Sequence, residues 1–166
     1  MSTRTLIRLS KACLSLLVGL LASMVVFNNI TDYWTNFQFV SHVMSMDTTI
    51  PDSKLRKRSI TNPRWYHLAY AAIIALESTI GWLCSMGGLA MLRALHKDGA
   101  TFHEAKRQSI LGLFGGLMLW FVGFQVLAAE WFAMWQSKQW DGLPAASRLT
   151  QIVSTLLVYV SMNNDE

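Results

Sequence analysis

Four long apolar stretches, separated by clusters of charged residues, run along the chain. Between Lys11 and Asn28, Arg64 and Arg93, Arg107 and Glu130, and Arg148 and Asp165 lie 16, 28, 22 and 16 residues, and His67 and Glu77 interrupt the second stretch. A helix needs about 20 apolar residues to cross the hydrocarbon core of a bilayer. The fourth stretch reaches that length when it begins near Pro144 and the Arg148 side chain extends to the interface. The pattern predicts four transmembrane helices, at about residues 10–30, 65–93, 108–132 and 145–162.

The predicted outer loop between the first two spans has 34 residues, 31–64. Within it, Trp34, Phe37, Val40 and Met44 recur at nearly helical spacing. An amphipathic segment of this kind favours a short interfacial helix, which lies at the membrane surface or caps the bundle.

Local signals mark the start of the third predicted helix. Asp98 and Gly99 are typical of a turn, and Thr101 precedes Glu104 by three residues, which is the spacing of a capping box. We therefore expect this helix to begin several residues before the membrane.

These elements predict an all-α membrane protein, a four-transmembrane-helix bundle in a single membrane domain over residues 1–166. Helices in lipid pack through close backbone approach at small residues. The second and third predicted helices each carry one seam of small and polar residues, which we expect to face the bundle interior. On the third helix this seam continues through Leu119 and Val126 to Glu130. The predicted packing glycines are Gly81, Gly88, Gly112, Gly116 and Gly123.

The composition supports a membrane protein and excludes several other classes. Hydrophobic residues make up 52% of the chain and charged residues 14%, whereas about 25% of residues in soluble domains are charged. These values exclude a disordered chain and a nucleic-acid-binding module, and two cysteines within apolar stretches do not make a disulfide scaffold. The expected partner is the lipid bilayer, with no nucleic acid.

The positions of Lys and Arg bear on orientation. When both termini are placed inside, equal numbers of Lys and Arg residues lie on the two sides of the membrane. Arg4, Arg8 and Lys11 lie beside the start of the first predicted helix, whose flanks usually dominate, so we expect both termini in the cytoplasm. The opposing basic cluster, Lys54–Arg58, lies in the long loop and is expected to meet anionic lipid or an acidic partner.

Six polar residues are candidates for function. Glu77 lies about 15 Å deeper than His67 along the second helix, at about 1.5 Å per residue, and a carboxyl group at that depth is a functional candidate by default. A protonated or hydrogen-bonded Glu77 that fixes helix packing is the open alternative. The candidate polar site consists of Glu77, His67, Glu130, Asp32, His42 and Asp47.

Spacing gives no support for a cofactor. A haem between helices needs facing imidazoles, and His67 is the only histidine within a predicted span. A metal site from His42, Asp47, His67 and Glu130 would suit carboxylate and imidazole coordination, but no H-x-x-H or C-x-x-C spacing accompanies it. We therefore expect no metal and no cofactor, and we identify no catalytic residues.

Several strings resemble a known family. SHVMSMDTT (41–49) and AEWFAMWQSKQWDG (129–142), together with NITDYWTNFQFV and AYAAIIALES, are similar to a family of small predicted bacterial integral membrane proteins of unknown function. The likeness covers most of the chain, although Asp141 stands where the family usually has Asn. The resemblance implies a multi-pass, four-helix protein of the bacterial inner membrane, and it carries no catalytic residues across.

Three hypotheses of function follow, and the third, a lipid or quinone site at an outer aromatic belt, is not separated from the first by the sequence. The belt consists of Trp34, Trp65, Trp131, Trp135 and Trp140. The first is an accessory or scaffold subunit, not an enzyme, which associates with other membrane protein subunits or with itself through aromatic and small-residue surfaces. The second is a small carrier or membrane-embedded enzyme with a polar site between helices two and three, around Glu77, His67 and Glu130.

Overall fold

The computed structural model describes residues 1–163, which are built from helices and contain no strand. The α-helices of this part of the chain are α1 (Thr3–Thr31), α2 (Tyr33–Ser45), α3 (Pro63–Arg93), α4 (Gly99–Ala105), α5 (Arg107–Leu117) and α6 (Leu143–Ser161). A π-helix, Met118–Trp131, follows α5 directly. Short 3-10 turns lie at Lys54–Arg58 and Met134–Gln136.

Four helical segments of the described chain are long and apolar enough to cross a membrane. They are Thr3–Thr31, Pro63–Arg93, Gly99–Trp131 and Leu143–Ser161. The prediction of an all-α membrane protein with four spanning helices is therefore confirmed. The short helix predicted before the second span is also present, as α2, with Val40 and Val43 buried.

The third spanning segment changes its helical form midway. After Leu117 the backbone hydrogen bonding becomes π-helical for 14 residues, and the Phe132 amide still donates to the Leu127 carbonyl over 3.0 Å. A π-helix closes each hydrogen bond one residue later than an α-helix, and most π-helices are only single turns. Residues that share a face therefore recur at a longer spacing than in an α-helix.

Because of the π-helix, the predicted seam of the third helix is only partly right. Leu119 is buried, as expected, but Val126 is 42% exposed and Glu130 is also exposed. Trp120 and Ala129 are buried in their place. The seam was projected at α-helical spacing, so the projection is wrong beyond Leu119, where the wider π turn rotates the following side chains away.

The amino end of α4 is capped by Asp98 and not by Thr101. The Asp98 carboxylate accepts hydrogen bonds from the Thr101 hydroxyl (2.7 Å) and the Thr101 amide (3.0 Å). The expected capping box is wrong because Thr101 already lies inside the helix. The two bonds stabilise the charged carboxylate and hold the pKa of Asp98 below its ordinary value of 3.8. The capping contribution is therefore complete above that value and is lost as pH falls through the lowered pKa.

Contacts between residues divide the chain into two compact units. The first unit comprises residues 1–26, 77–116 and the segment from Ile152 onward, and the second comprises residues 27–76 and 117–151. Each unit combines segments that are distant in the sequence. The expectation of one membrane domain over residues 1–166 stays a prediction.

Helices of the first unit approach each other closely at glycines. A Cβ atom added to Gly87 of α3 would lie 2.9 Å from the Ser109 Cα atom of α5. A Cβ atom added to Gly112 of α5 would lie 3.0 Å from the Cys84 amide nitrogen of α3. Backbones therefore touch at these points, which strengthens van der Waals attraction between helices in lipid.

The other predicted packing glycines divide between the units. Gly81 and Gly88 lie against α1 in the first unit, and Gly116 is buried there as well. In the second unit, a Cβ atom on Gly123 would have Leu119 of its own helix as its nearest neighbour, at 3.6 Å. Gly123 therefore does not mark a close helix contact, because it lies on the π-helix where the seam has turned.

Polar side chains join the helices of the first unit. The Ser15 hydroxyl of α1 is buried, donates to the Cys84 carbonyl over 2.8 Å and lies 2.6 Å from the Ser109 hydroxyl. Hydrogen bonds of this kind between helices are each worth about 0.6 to 2 kcal/mol in lipid. α1, α3 and α5 are therefore connected through one small polar cluster.

Three cations are buried at helix ends of the first unit. Arg8 donates from Nη1 to the carbonyls of Leu95 and Lys97, just beyond α3, over 3.1 and 2.7 Å. Lys11 and Lys106 both donate to one carbonyl, that of Met162 just beyond α6, over 2.5 and 2.9 Å. Each cation thus lies near the negative end of a helix dipole, where positive charge is stabilised.

Candidate functional site

In the second unit, aromatic side chains from one face of α2 pack around His67. The imidazole stacks on the Phe37 ring with centroids 4.2 Å apart and planes inclined by 19°. The Tyr33 hydroxyl lies 2.8 Å from His67 Nδ1, in hydrogen-bond contact, and Trp34 meets the imidazole edge-on at 6.0 Å. With the phenol as donor, Nδ1 accepts and the ring proton is on Nε2.

Tyr70 forms the buried base of this aromatic cluster. It packs against Tyr33 with ring centroids 4.7 Å apart, and its hydroxyl donates to the Asn29 carbonyl over 3.1 Å. Aromatic pairs of this kind contribute about 0.5–1.5 kcal/mol beyond their burial. The cluster therefore connects the end of α1, the start of α2 and the start of α3.

A second histidine lies near the carboxyl end of α2. His42 Nδ1 is 2.7 Å from Asp47 Oδ2, and the imidazole stacks on Trp140 with centroids 4.6 Å apart and planes 11° apart. The carboxylate acts as acceptor for an Nδ1–H group, which leaves Nε2 of the neutral ring as an acceptor. The prediction named His42 and Asp47, and the structure brings these two together.

A backbone reversal at Met46 makes this pair possible. Met46 has φ 54°, in the left-handed region that residues other than glycine rarely adopt. The turn is stabilised by Thr49, whose hydroxyl donates to the Met46 carbonyl over 2.7 Å. The following loop is tied to the segment after the π-helix, because Thr48 donates to the Ser137 hydroxyl over 2.9 Å.

In the His42–Asp47 pair a carboxylate fixes the orientation of an imidazole through a hydrogen bond of 2.7 Å. The two side chains are 33% and 47% exposed, and an exposed pair contributes only about 0–1 kcal/mol of stability. Histidines that act as general bases or as metal ligands are often oriented by a carboxylate in this way. Within residues 1–163, however, no three His, Cys, Asp or Glu side chains converge on one point as a metal site requires.

The remaining predicted site residues lie in different surroundings. Glu77 belongs to the first unit and is buried, with 4% exposure. Glu130 and Asp32 belong to the second unit and have exposed side chains. Asp32 precedes α2 without capping it through its side chain. The functional roles of all six candidates stay predictions.

Two contributors to the second unit were missed in the sequence. The sequence predicted no contact for Trp140, which stacks on His42. Arg58 was expected, as part of the Lys54–Arg58 cluster, to meet anionic lipid or an acidic partner. Its Nη1 donates to the Trp131 carbonyl over 3.3 Å, and its guanidinium lies 4.9 Å from the centre of the Trp131 ring. Neither contact has a sequence signal, because each joins segments that are far apart in the chain.

Comparison with known proteins agrees with this architecture. No curated protein and no solved structure matches the chain. A family model matches residues 7–163, which is nearly the whole sequence, and its description gives a membrane location without an activity. Together with the four spanning helices, this match identifies the chain as a member of the family described as "predicted small integral membrane protein (DUF2165)".

Proposed function

We propose that this protein is an accessory or scaffold subunit that binds another membrane subunit, or a further copy of itself, through its second unit. The observation that supports this proposal is a group of accessible tryptophans in that unit. Their side chains are about half to two-thirds exposed: Trp34 66%, Trp65 55%, Trp131 52% and Trp135 49%.

Tryptophan is among the residues most enriched in protein interfaces and in their binding hot spots. Three polar side chains of the second unit are, in contrast, engaged within the chain. His67 bonds to Tyr33, His42 bonds to Asp47, and Arg58 bonds to a backbone carbonyl. These three groups are therefore less available to another molecule than the exposed tryptophans. Because tryptophans also anchor proteins at lipid headgroups, the test must separate the two roles.

The test compares two sets of exposed tryptophans. The double substitution Trp34→Ala and Trp65→Ala removes aromatic surface from the second unit, and Trp82→Ala removes a side chain of equal type and 59% exposure from the first unit. In mild detergent, the wild-type protein is expected to migrate in native gels as an assembly larger than one chain. The double variant is expected to bind about 30-fold more weakly, as loss of a hot spot of about 2 kcal/mol implies, and to migrate as the single chain.

The Trp82→Ala control is expected to leave the assembly intact. A wild-type protein that migrates only as a single chain, with no partner after mild crosslinking in the membrane, would contradict the proposal. Equal effects of the double variant and the control would also contradict it, since they would indicate general lipid anchoring.

We also infer a location in the bacterial inner membrane with both termini in the cytoplasm. The support is the presence of Arg4, Arg8 and Lys11 in the first turns of α1, together with the rule that the cytoplasmic ends of spanning helices carry excess positive charge. A green fluorescent protein fused to the carboxyl terminus is expected to fluoresce, and alkaline phosphatase at the same point is expected to be inactive. The reverse result would place the carboxyl terminus in the periplasm.

A further inference from the structure

The second unit contains an apolar cavity of about 380 Å³. It lies between α2, α3 and the π-helix, and none of the fifteen residues that line it has a polar side chain. Pockets that hold small molecules usually have volumes of about 300–1,000 Å³. A cavity with apolar walls does not hold water well, because water finds no hydrogen-bond partner there. Its natural content is therefore hydrocarbon.

Small residues create the cavity, and two leucines lie at its opening. Ala69, Ala72, Gly123 and Ala128 are among the lining residues, and they leave space where larger side chains would fill it. Leu76 of α3 and Leu127 of the π-helix also line the cavity and are 45% and 50% exposed. Both helices belong to membrane-spanning segments, so the cavity opens towards the acyl chains of the bilayer.

A basic segment lies at the rim of this cavity. Arg58 is bonded to the Trp131 carbonyl, and the neighbouring residues Ile60 and Phe132 both line the cavity. The segment Lys54–Arg58 (KLRKR) adds three further cations, while Asp52 is the nearest preceding acid in the sequence. Arg58 therefore lies beside the cavity lining, with three further cations in the same short 3-10 turn and the exposed acid Glu130 next to Trp131.

We propose that this cavity binds one acyl chain of an anionic phospholipid, whose phosphate contacts the basic segment Lys54–Arg58. The apolar walls match a hydrocarbon chain, and the charge of the rim matches an anionic headgroup. A quinone ring fits less well, because its carbonyl oxygens would be buried among side chains that donate no hydrogen bond. The two proposals are tested separately, because the lipid test changes the cavity and Lys54, Arg56 and Lys57, whereas the interface test changes Trp34 and Trp65.

The experiment is native mass spectrometry of the full-length protein, purified in detergent and titrated with defined lipids. Phosphatidylglycerol and phosphatidylcholine with identical acyl chains are compared at equal concentrations, with ubiquinone as a third ligand. The wild-type protein is expected to bind one phosphatidylglycerol at least tenfold more tightly than phosphatidylcholine, since each basic residue near an anionic headgroup contributes about fivefold.

Matched variants separate the acyl site from the headgroup site. Ala72→Leu fills the cavity and is expected to abolish the bound lipid, whereas Ala71→Leu, at an exposed neighbouring position that does not line it, is expected to bind normally. Replacing Lys54, Arg56 and Lys57 by Gln leaves Arg58 in place and is expected to remove the preference for phosphatidylglycerol. Gly123→Leu is a second cavity-filling variant, and gel filtration checks that every variant remains folded.

Three outcomes would overturn the proposal. Lipid binding that is unchanged in folded Ala72→Leu and Gly123→Leu would show that the cavity is not the site. Equal binding of phosphatidylglycerol and phosphatidylcholine by the wild-type protein would show that the basic segment does not select an anionic headgroup. Stoichiometric ubiquinone that displaces the phospholipid would identify a quinone site in its place.

Discussion

Replacing Gly87 by alanine is expected to destabilise the protein by about 2 kcal/mol. The added Cβ atom would lie 2.9 Å from Ser109 Cα and would also overlap the Ser109 amide nitrogen. These are backbone atoms of α5, which cannot move aside as the end of a flexible side chain can. Overpacking of this kind costs about 3 kcal/mol, and the better helix propensity of alanine returns about 1 kcal/mol. The measurement is reversible unfolding in mixed micelles with increasing sodium dodecyl sulfate, followed by circular dichroism.

Gly115 provides the matched control on α5. A Cβ atom added there meets Ile80 Cγ1 at 3.4 Å, which is an ordinary contact with a side chain. Gly115→Ala should therefore leave stability unchanged or raise it by up to about 1 kcal/mol through helix propensity. Equal stabilities for the two variants would mean that the close approach of α3 and α5 contributes nothing to folding.

The four spanning helices could be predicted because a helix in lipid must be apolar along its length, whatever it packs against. The short α2 could be predicted for a related reason, since Trp34, Phe37 and Val40 recur on one face. The π-helix Met118–Trp131 could not be predicted. Its residues are those of any apolar helix, and its pitch depends on backbone hydrogen bonding that leaves no pattern in the sequence.

The histidine clusters were predictable only in part. His42 and Asp47 were named as candidates, but their contact depends on the left-handed backbone at Met46, a conformation that methionine rarely adopts. The partners of His67, Tyr33 and Phe37, come from another helix. Single-sequence reasoning identifies polar residues near a membrane boundary, but it does not show which aromatic face meets them.

The buried cations were the largest departure from expectation. Arg8 and Lys11 were interpreted as charges that flank the first span, which is how Lys and Arg usually act in membrane proteins. In the structure both are at most 1% exposed and donate to carbonyls beyond the ends of other helices. Hydropathy gives the position of a charge along its own helix. It does not reveal that the carboxyl end of another helix lies beside it.

Arg8→Met is expected to destabilise the protein by about 3 kcal/mol. The guanidinium donates to two carbonyls beyond α3 and lies 4.6 Å from the centre of the Phe102 ring. Hydrogen bonds from charged groups contribute about 1.5–3 kcal/mol each, and a desolvated cation–π contact adds up to about 2 kcal/mol. Since such terms are not additive within one cluster, the expected loss is smaller than their sum. The same detergent-unfolding measurement gives the value.

Arg4→Met separates the contribution of the Arg8 hydrogen bonds to the end of α3 from the general effect of removing an N-terminal charge. Arg4 is exposed and lies one turn earlier on the same helix, so its replacement changes charge and volume equally and should alter stability by less than about 0.5 kcal/mol. The stability of Arg8→Lys should lie between those of Arg8→Met and Arg4→Met. The lysine ammonium keeps the charge but lacks the planar guanidinium that reaches both carbonyls. Added salt should leave the loss in Arg8→Met nearly unchanged, since buried interactions are weakly screened. If the two methionine variants are equally stable, Arg8 acts as a flanking charge and does not hold the carboxyl end of α3.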